Sequence, residues 1–204
     1  MTVLSSVRLA AAGVVLALLA TASASAETPV NERARLLKEF GDRATKYVEL
    51  QRKAKATVPP LPRKATPEQI AVHEKALAGA IRARRAGTRQ GEIFFPEVVP
   101  ELLDLLRSGL AGPGAQPARE AIKDGNPGVE PPPARPAEPR PKDVALVANA
   151  PYPDGASLSM VPPELLARLP PLPEPVQYRF VGRHLILYDS EARLVVDYLE
   201  ETVP

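Results

Sequence analysis

The chain has 204 residues, of which 26 are lysine or arginine, 24 are aspartate or glutamate, two are histidine and none is cysteine. Without cysteine it has neither a disulfide framework nor the lipidated cysteine of a bacterial lipoprotein, and the scarcity of imidazole and thiolate disfavours a nickel, cobalt, copper or zinc site. The near balance of charge argues against a polyanion-binding protein. We therefore expect no cofactor, no metal ion and no nucleic-acid partner.

Residues 1–26 are typical of a secretory signal peptide. Arg8 precedes an uncharged apolar run (Leu9 to Ala20), and small residues follow it. The run is shorter than the roughly 20 residues that cross a hydrocarbon core as a helix. The sequence predicts a mature chain that begins at Glu27 and has no transmembrane segment after signal removal. We expect it to be soluble and exported, either to the periplasm or outside the cell.

Residues 27–112 are predicted to form a helical region. Apolar residues recur at helical spacing from Pro29 to about Ala56, with charges on the opposite side. The prolines that follow end this helix, because proline lacks an amide donor and forces extended backbone on the residue before it. A more apolar helix is expected from Pro100 to Gly112, and a short fourth helix from Arg119 to Asp124.

The second helix of this region begins at a sequence cap. Thr66 is the expected N-cap, Pro67 takes the first helical position, and Gln69 completes a capping box. Its apolar stripe is predicted to consist of Ile70, Leu77 and Ile81. Its C-terminal end carries a basic cluster of Arg82, Arg84, Arg85 and Arg89. The helix dipole favours such cations, and the alternative is that they contact an anion.

Prolines are concentrated in the second half of the chain, where 17 of the 25 lie between Pro113 and Pro175. Residues 113–142 are predicted to be an extended linker, since proline-rich segments favour the polyproline conformation over a packed helix. Residues 143–204 are predicted to form a small region with a C-terminal β meander. Within it we expect a strand from Val144 to Ala148 and a short helix from Pro163 to Leu169.

The stretch YRFVGRHLILYDSEARLVVDYL (Tyr178 to Leu199) predicts a small antiparallel β meander. Gly182 is the first centre of a two-residue type II′ hairpin, which pairs Val181 with His184. The face of the meander that packs on the helices is predicted to contain Val176, Tyr178, Phe180, Leu185, Leu187, Leu194, Val196 and Tyr198.

The opposite face of the meander is a candidate interaction surface. A second loop, from Asp189 to Ala192, is expected to pair Tyr188 with Arg193 and His184 with Asp197. The candidate surface consists of Arg179, His184, Tyr188, Arg193 and Asp197. The alternative is a partly solvated sheet face on which an imidazole and a carboxylate lie opposite each other by chance.

Together these elements predict an α+β fold with an N-terminal helical region of three to four helices, a proline-rich extended linker and a small C-terminal antiparallel β meander. The pattern YRFVGRHLILYD followed by LVVDYL resembles the small C-terminal sheet of the periplasmic nickel/cobalt-homeostasis family. The whole order of helices, prolines, LPPLPEP and sheet resembles a family of uncharacterised exported bacterial proteins. Neither resemblance implies a site residue.

The sequence contains no serine nucleophile elbow, phosphate loop or dinucleotide fingerprint. We therefore expect an exported, non-enzymatic interaction or scaffold protein whose partner is another envelope protein. The alternative is a periplasmic hydrolase or ligand-binding enzyme whose site is assembled from scattered residues. The sequence leaves the specific role and the oligomeric state open.

Overall fold

The computed structural model describes residues 29–112, 115–124, 144–156 and 158–203. The predicted signal peptide and most of the predicted linker lie outside the described residues. The described chain has five helices and a five-stranded antiparallel sheet, which confirms the predicted α+β class. The helices are α1 (Pro29–Lys55), α2 (Pro67–Arg84), α3 (Val99–Leu110), α4 (Gln116–Asp124) and α5 (Pro163–Leu166). The strands are β1 (Ala150–Pro151), β2 (Ser159–Met160), β3 (Val176–Val181), β4 (His184–Asp189) and β5 (Leu194–Leu199).

Helix α1 ends within one residue of its predicted end, and one face of it is buried along most of its length. The buried residues recur every three or four positions, which is the spacing of one stripe on a helix. They are Leu36, Phe40, Ala44, Tyr47, Val48, Gln51 and Ala54. Ion pairs such as Lys38 with Asp42 lie on the exposed side, where each such pair contributes only about 0.3–0.5 kcal/mol.

Helix α2 begins with the predicted capping box. The Thr66 hydroxyl accepts from the Gln69 amide at 3.3 Å, and the Gln69 side chain accepts from the Thr66 amide at 2.9 Å. Leu77 and Ile81 are buried as predicted, but Ile70 is 39% exposed. The predicted apolar stripe was therefore wrong at Ile70.

Helices α3, α4 and α5 are short, and α3 contacts both of the others. Leu102, Leu106 and Leu110 form the buried stripe of α3. A Cβ at Gly109 would lie 2.5 Å from Cδ1 of Leu165, so glycine at this position allows α3 and α5 to approach closely. Helix α4 ends at the predicted Asp124 and begins three residues before the predicted Arg119, within the range also predicted as linker. Helix α5 ends three residues before the predicted Leu169.

The sheet has the order β1-β5-β4-β3-β2. The predicted register of the first hairpin is confirmed, with Val181 opposite His184 and Tyr178 opposite Leu187. Gly182 has φ of 59°, as a type II′ turn requires at its first centre. A two-residue turn with this chemistry fixes the pairing of every residue in β3 and β4.

The predicted register of the second hairpin is wrong. Asp189 pairs with Leu194 instead of lying in the loop, and a bulge between Leu187 and Tyr188 shifts the rest of the ladder, so that Leu187 lies opposite Asp197. A bulge changes which face the following side chains occupy. As a result Leu199 joins the main core, while Tyr198 packs against the opposite face.

Both faces of the sheet are covered. The helices and the inner face share the main core, and a smaller cluster on the outer face contains Val144, Tyr152, Val181, Ile186, Tyr188 and Val195. The prediction of a partly solvated outer face was therefore wrong at its centre. The strand predicted from Val144 to Ala148 is also absent; this segment is irregular and places Val144 over the outer face.

In the part of the chain that the structure describes, no helix combines the length and the apolar character that crossing a membrane requires.

Candidate functional site

A cleft of about 580 Å³ lies between α1 and the segment that follows α2. Its α1 residues recur at three- and four-residue steps and so lie on one face of the helix. Most of its lining side chains carry a charge, and both signs are present. The lining residues are Glu39, Asp42, Arg43, Lys46, Tyr47, Leu50, Arg85, Glu92 and Ile93.

Arg85 is the buried cation of this cleft, with a side chain only 4% exposed. Its Nη2 donates to Oε2 of Glu92 at 2.7 Å, and its Nη1 donates to the Val196 carbonyl at 3.2 Å. The guanidinium carbon lies 5.0 Å from the centre of the Tyr47 ring. Three independent elements therefore fix the position of this charge.

The sequence placed Arg85 in a basic cluster at the end of α2 but gave no sign that it differs from its neighbours. Arg82, Arg84 and Arg89 are exposed, whereas Arg85 points into the protein. Burial of an arginine depends on acceptors supplied by distant residues, here Val196 and Glu92. A pattern of like residues along one helix carries no information about those acceptors.

Arg43 closes another side of the cleft. It donates to Oε1 of Glu39 from both Nε and Nη2, at 3.1 and 2.6 Å, and from Nη1 to the Glu92 carbonyl at 2.8 Å. Its guanidinium carbon lies 4.0 Å from the centre of the Phe95 ring. These contacts attach the segment after α2 to the middle of α1.

A hydrogen-bonded network connects α1 to the turn between β4 and β5. The Tyr47 hydroxyl donates to Oδ2 of the buried Asp189 at 2.7 Å, and the amides of Glu191 and Ala192 donate to Oδ1 at 2.9 and 3.0 Å. Burial raises the pKa of Asp189 and also raises the pKa of Tyr47. Glu191 in turn accepts from Gln51 and Lys55, each at 2.8 Å.

Asp189 and Glu191 should give opposite pH dependences of stability. Because the pKa of Asp189 is raised, the folded state binds more protons than the unfolded state at pH values above the ordinary pKa of 3.8. The stability that depends on Asp189 therefore falls as the pH rises through the folded pKa. At Glu191 burial acts to raise the pKa. The hydrogen bonds from Lys55 and Gln51 outweigh burial, so the pKa of Glu191 is lowered. The contribution of Glu191 to stability is therefore present at pH values above its ordinary pKa of 4.5 and is lost as the pH falls through the folded pKa.

Urea unfolding of the wild type, Asp189→Asn and Glu191→Gln across the acidic pH range tests these two assignments. Asp189→Asn, which keeps the shape of the side chain, should remove the decline in stability that the wild type shows as Asp189 ionises. Glu191→Gln should remove the decline on acidification. The assignments are wrong if the two variants exchange these effects or leave the wild-type profile unchanged.

Asp197 is fully buried and accepts four main-chain hydrogen bonds. The amides of Gly91, Ile93 and Phe94 donate to its carboxylate at 2.9, 2.8 and 2.9 Å, and the amide of Tyr198 donates at 2.9 Å. The bulge in the second hairpin places this carboxylate against the segment after α2. Asp197 therefore joins that segment to β5.

The predicted pair of His184 and Asp197 does not form. His184 pairs with Val181 across the first hairpin, and its Nδ1 accepts from the Glu201 amide at 3.2 Å. Asp197 lies opposite Leu187 instead. The shifted register separates the two side chains, so the predicted ion pair was wrong.

The structure places Arg179, Tyr188 and Arg193 together on the outer face. The Tyr188 ring meets the Tyr152 ring edge-on at 6.0 Å, and burial raises the pKa of Tyr188 while Arg193 opposes that shift. Nη2 of Arg193 lies 3.3 Å from Oδ1 of Asp154, and Nη2 of Arg179 donates to Oε1 of Gln177. Their role as an interaction surface stays a prediction, and the buried Asp197 is not part of that surface.

Within the described ranges, no group of three or more histidine, cysteine, aspartate or glutamate side chains is arranged to hold a metal ion. The chain matches no protein-family model, no curated protein and no solved structure. The resemblances noted in the sequence therefore stay predictions.

Proposed function

We propose that the protein is an exported, non-enzymatic interaction or scaffold protein whose partner is another protein of the cell envelope. One observation carries the proposal: the two buried carboxylates, Asp189 and Asp197, are occupied by hydrogen bonds that join the sheet to the helical region. A catalytic carboxylate needs to reach the proton that it transfers to or from a substrate. These two serve as structural acceptors.

Both imidazoles contact the main chain. Nδ1 of His73 lies 2.9 Å from the Pro59 carbonyl, and Nδ1 of His184 accepts from the Glu201 amide. Each ring is thereby engaged at one nitrogen by the main chain. The export part of the proposal rests on residues 1–26, whose charge and hydropathy pattern is that of a signal peptide.

The cleft favours the alternative, a periplasmic hydrolase or ligand-binding enzyme. Its volume of about 580 Å³ falls within the range of small-molecule sites, roughly 300–1,000 Å³. Its acidic residues, however, are paired with cations: Glu39 with Arg43, and Glu92 with Arg85. Their charges are therefore already engaged by the arginines of the protein itself.

Affinity capture tests the proposal. The mature chain, starting at Glu27, should recover one defined envelope protein from a periplasmic extract, and the tagged partner should recover this chain in return. A second bait carrying Arg179→Gln and Arg193→Gln tests the outer-face surface, and a bait carrying Arg107→Gln and Arg168→Gln is its control. Loss of capture in the first double variant alone would assign the partner to the outer face.

Two results would contradict the proposal. One is the absence of any partner recovered in both directions. The other is turnover of ester, amide or phosphoester substrates by the purified chain, which would favour the hydrolase.

Intact-mass measurement of the exported protein tests the predicted cleavage, since a chain that retains residues 1–26 would contradict it.

A further inference from the structure

We propose that the cleft between α1 and residues 85–95 binds an acidic peptide segment in an extended conformation, with Lys46 and Arg85 as its carboxylate-binding residues. This inference rests on the proposed interaction function, and it names the chemistry of the partner segment. It uses a surface separate from Arg179 and Arg193 on the outer face.

The shape of the cleft favours a peptide over a small carboxylate. The α1 residues that line it run from Glu39 to Leu50, a distance of about 16 Å at 1.5 Å per residue. An extended chain advances about 3.3 Å per residue. A groove of this length therefore accommodates about five residues, whereas a single small acid would occupy only part of it.

Three carboxylates and three cations line the cleft, and a fourth cation from outside it, Lys38, pairs with Asp42, which leaves Lys46 without a partner among the described residues. Glu39 pairs with Arg43, Asp42 pairs with Lys38, and Glu92 pairs with Arg85. Lys46 is exposed on the same face of α1, and the described residues supply no carboxylate within ion-pair distance of it. An acidic ligand would complete this pairing, while a basic ligand would meet an unpaired like charge.

The second binding group is Arg85, whose position is fixed before any ligand arrives. The Val196 carbonyl and the Tyr47 ring hold its guanidinium, which reduces the ordering that binding would otherwise require. Its one carboxylate partner among the described residues, Glu92, has a side chain that is 54% exposed, against 4% for Arg85. A carboxylate entering from solvent can therefore compete with Glu92 for Nη2 of Arg85, while Nη1 stays bonded to the Val196 carbonyl.

Glu92 acts in this scheme as an internal competitor. Its side chain occupies the position that a ligand carboxylate would take on Arg85. Removing its charge should leave Arg85 available and strengthen peptide binding. Removing the charge of Lys46 should have the opposite effect.

Fluorescence anisotropy of the purified mature chain with a fluorescein-labelled tetraglutamate peptide at low ionic strength tests the proposal. Lys46→Gln should weaken binding by up to about fivefold, the scale of one exposed ion pair. Lys53→Gln, which removes an exposed lysine two turns further along α1 and outside the cleft, should leave the Kd unchanged. Glu92→Gln should lower the Kd.

Labelled tetralysine and unlabelled free glutamate complete the experiment. Tetralysine should not bind, and free glutamate should compete far less well than unlabelled tetraglutamate. The inference is overturned if tetraglutamate does not bind, if Lys46→Gln and Lys53→Gln weaken binding equally, or if free glutamate competes as well as the peptide. Failure here together with successful envelope capture would remove this site and leave the proposed function in place.

Discussion

Asp197→Ala is expected to lower the free energy of unfolding by more than about 3 kcal/mol, because hydrogen bonds to a charged acceptor are worth about 1.5–3 kcal/mol each and the loss leaves buried donors unpaired. The amides of Ile93 and Phe94 are buried and donate to Oδ2 of this carboxylate, and the amide of Gly91 donates to Oδ1. Alanine offers none of these donors an acceptor. Urea unfolding followed by circular dichroism measures the loss.

Two variants make this result specific to the hydrogen bonds. Asp197→Asn keeps one oxygen acceptor and should be destabilised less than Asp197→Ala. Glu200→Ala removes an exposed carboxylate just beyond the end of β5 and should stay within about 0.5 kcal/mol of the wild type, as surface substitutions usually do. If Asp197→Ala unfolds at the same urea concentration as Glu200→Ala, the carboxylate does not hold the segment after α2.

Phe40→Ala should destabilise the protein by about 3–5 kcal/mol, the usual cost of truncating a buried phenylalanine. Phe40 is fully buried on α1. Its ring stacks at 5.7 Å from Phe94 and at 6.4 Å from Tyr178, measured between ring centres. The substitution therefore leaves a cavity where α1, the segment after α2 and β3 meet. Thermal and urea unfolding of the purified variant provide the measurement.

Two control variants distinguish the loss of buried side-chain volume at Phe40 from the effect of placing alanine in a helix. Phe40→Leu keeps most of the apolar volume and should be less destabilised than Phe40→Ala. Arg52→Ala places the same new residue at an exposed position of α1 and should change stability little. Equal stability of Phe40→Ala and Arg52→Ala would mean that the three aromatic rings do not form a packed junction.

The sequence by itself determined the elements whose signals are local. The capping box at Thr66 and Gln69 fixed the start of α2 because both partners lie within one turn. Periodic apolar residues gave α1 nearly to its last residue. A two-residue turn with Gly182 at its first centre set the register of β3 and β4, since so short a loop leaves no alternative pairing.

The candidate site was determined by contacts between distant parts of the chain. The sequence grouped Arg85 with three exposed arginines, because burial of its guanidinium depends on Val196, which lies 111 positions away. The cleft itself forms only when the segment after α2 folds back on α1. No pattern within either segment predicts that juxtaposition.

The register of β4 and β5 was decided in the same way. Their four-residue loop permits several pairings, and the bulge beside Leu187 is favoured because it directs Asp197 toward the amides of Ile93 and Phe94. Those donors lie more than a hundred positions away in the chain. Local propensity therefore determined where helices and strands form, while tertiary hydrogen bonding decided how the last strand pairs and which charged side chains are buried.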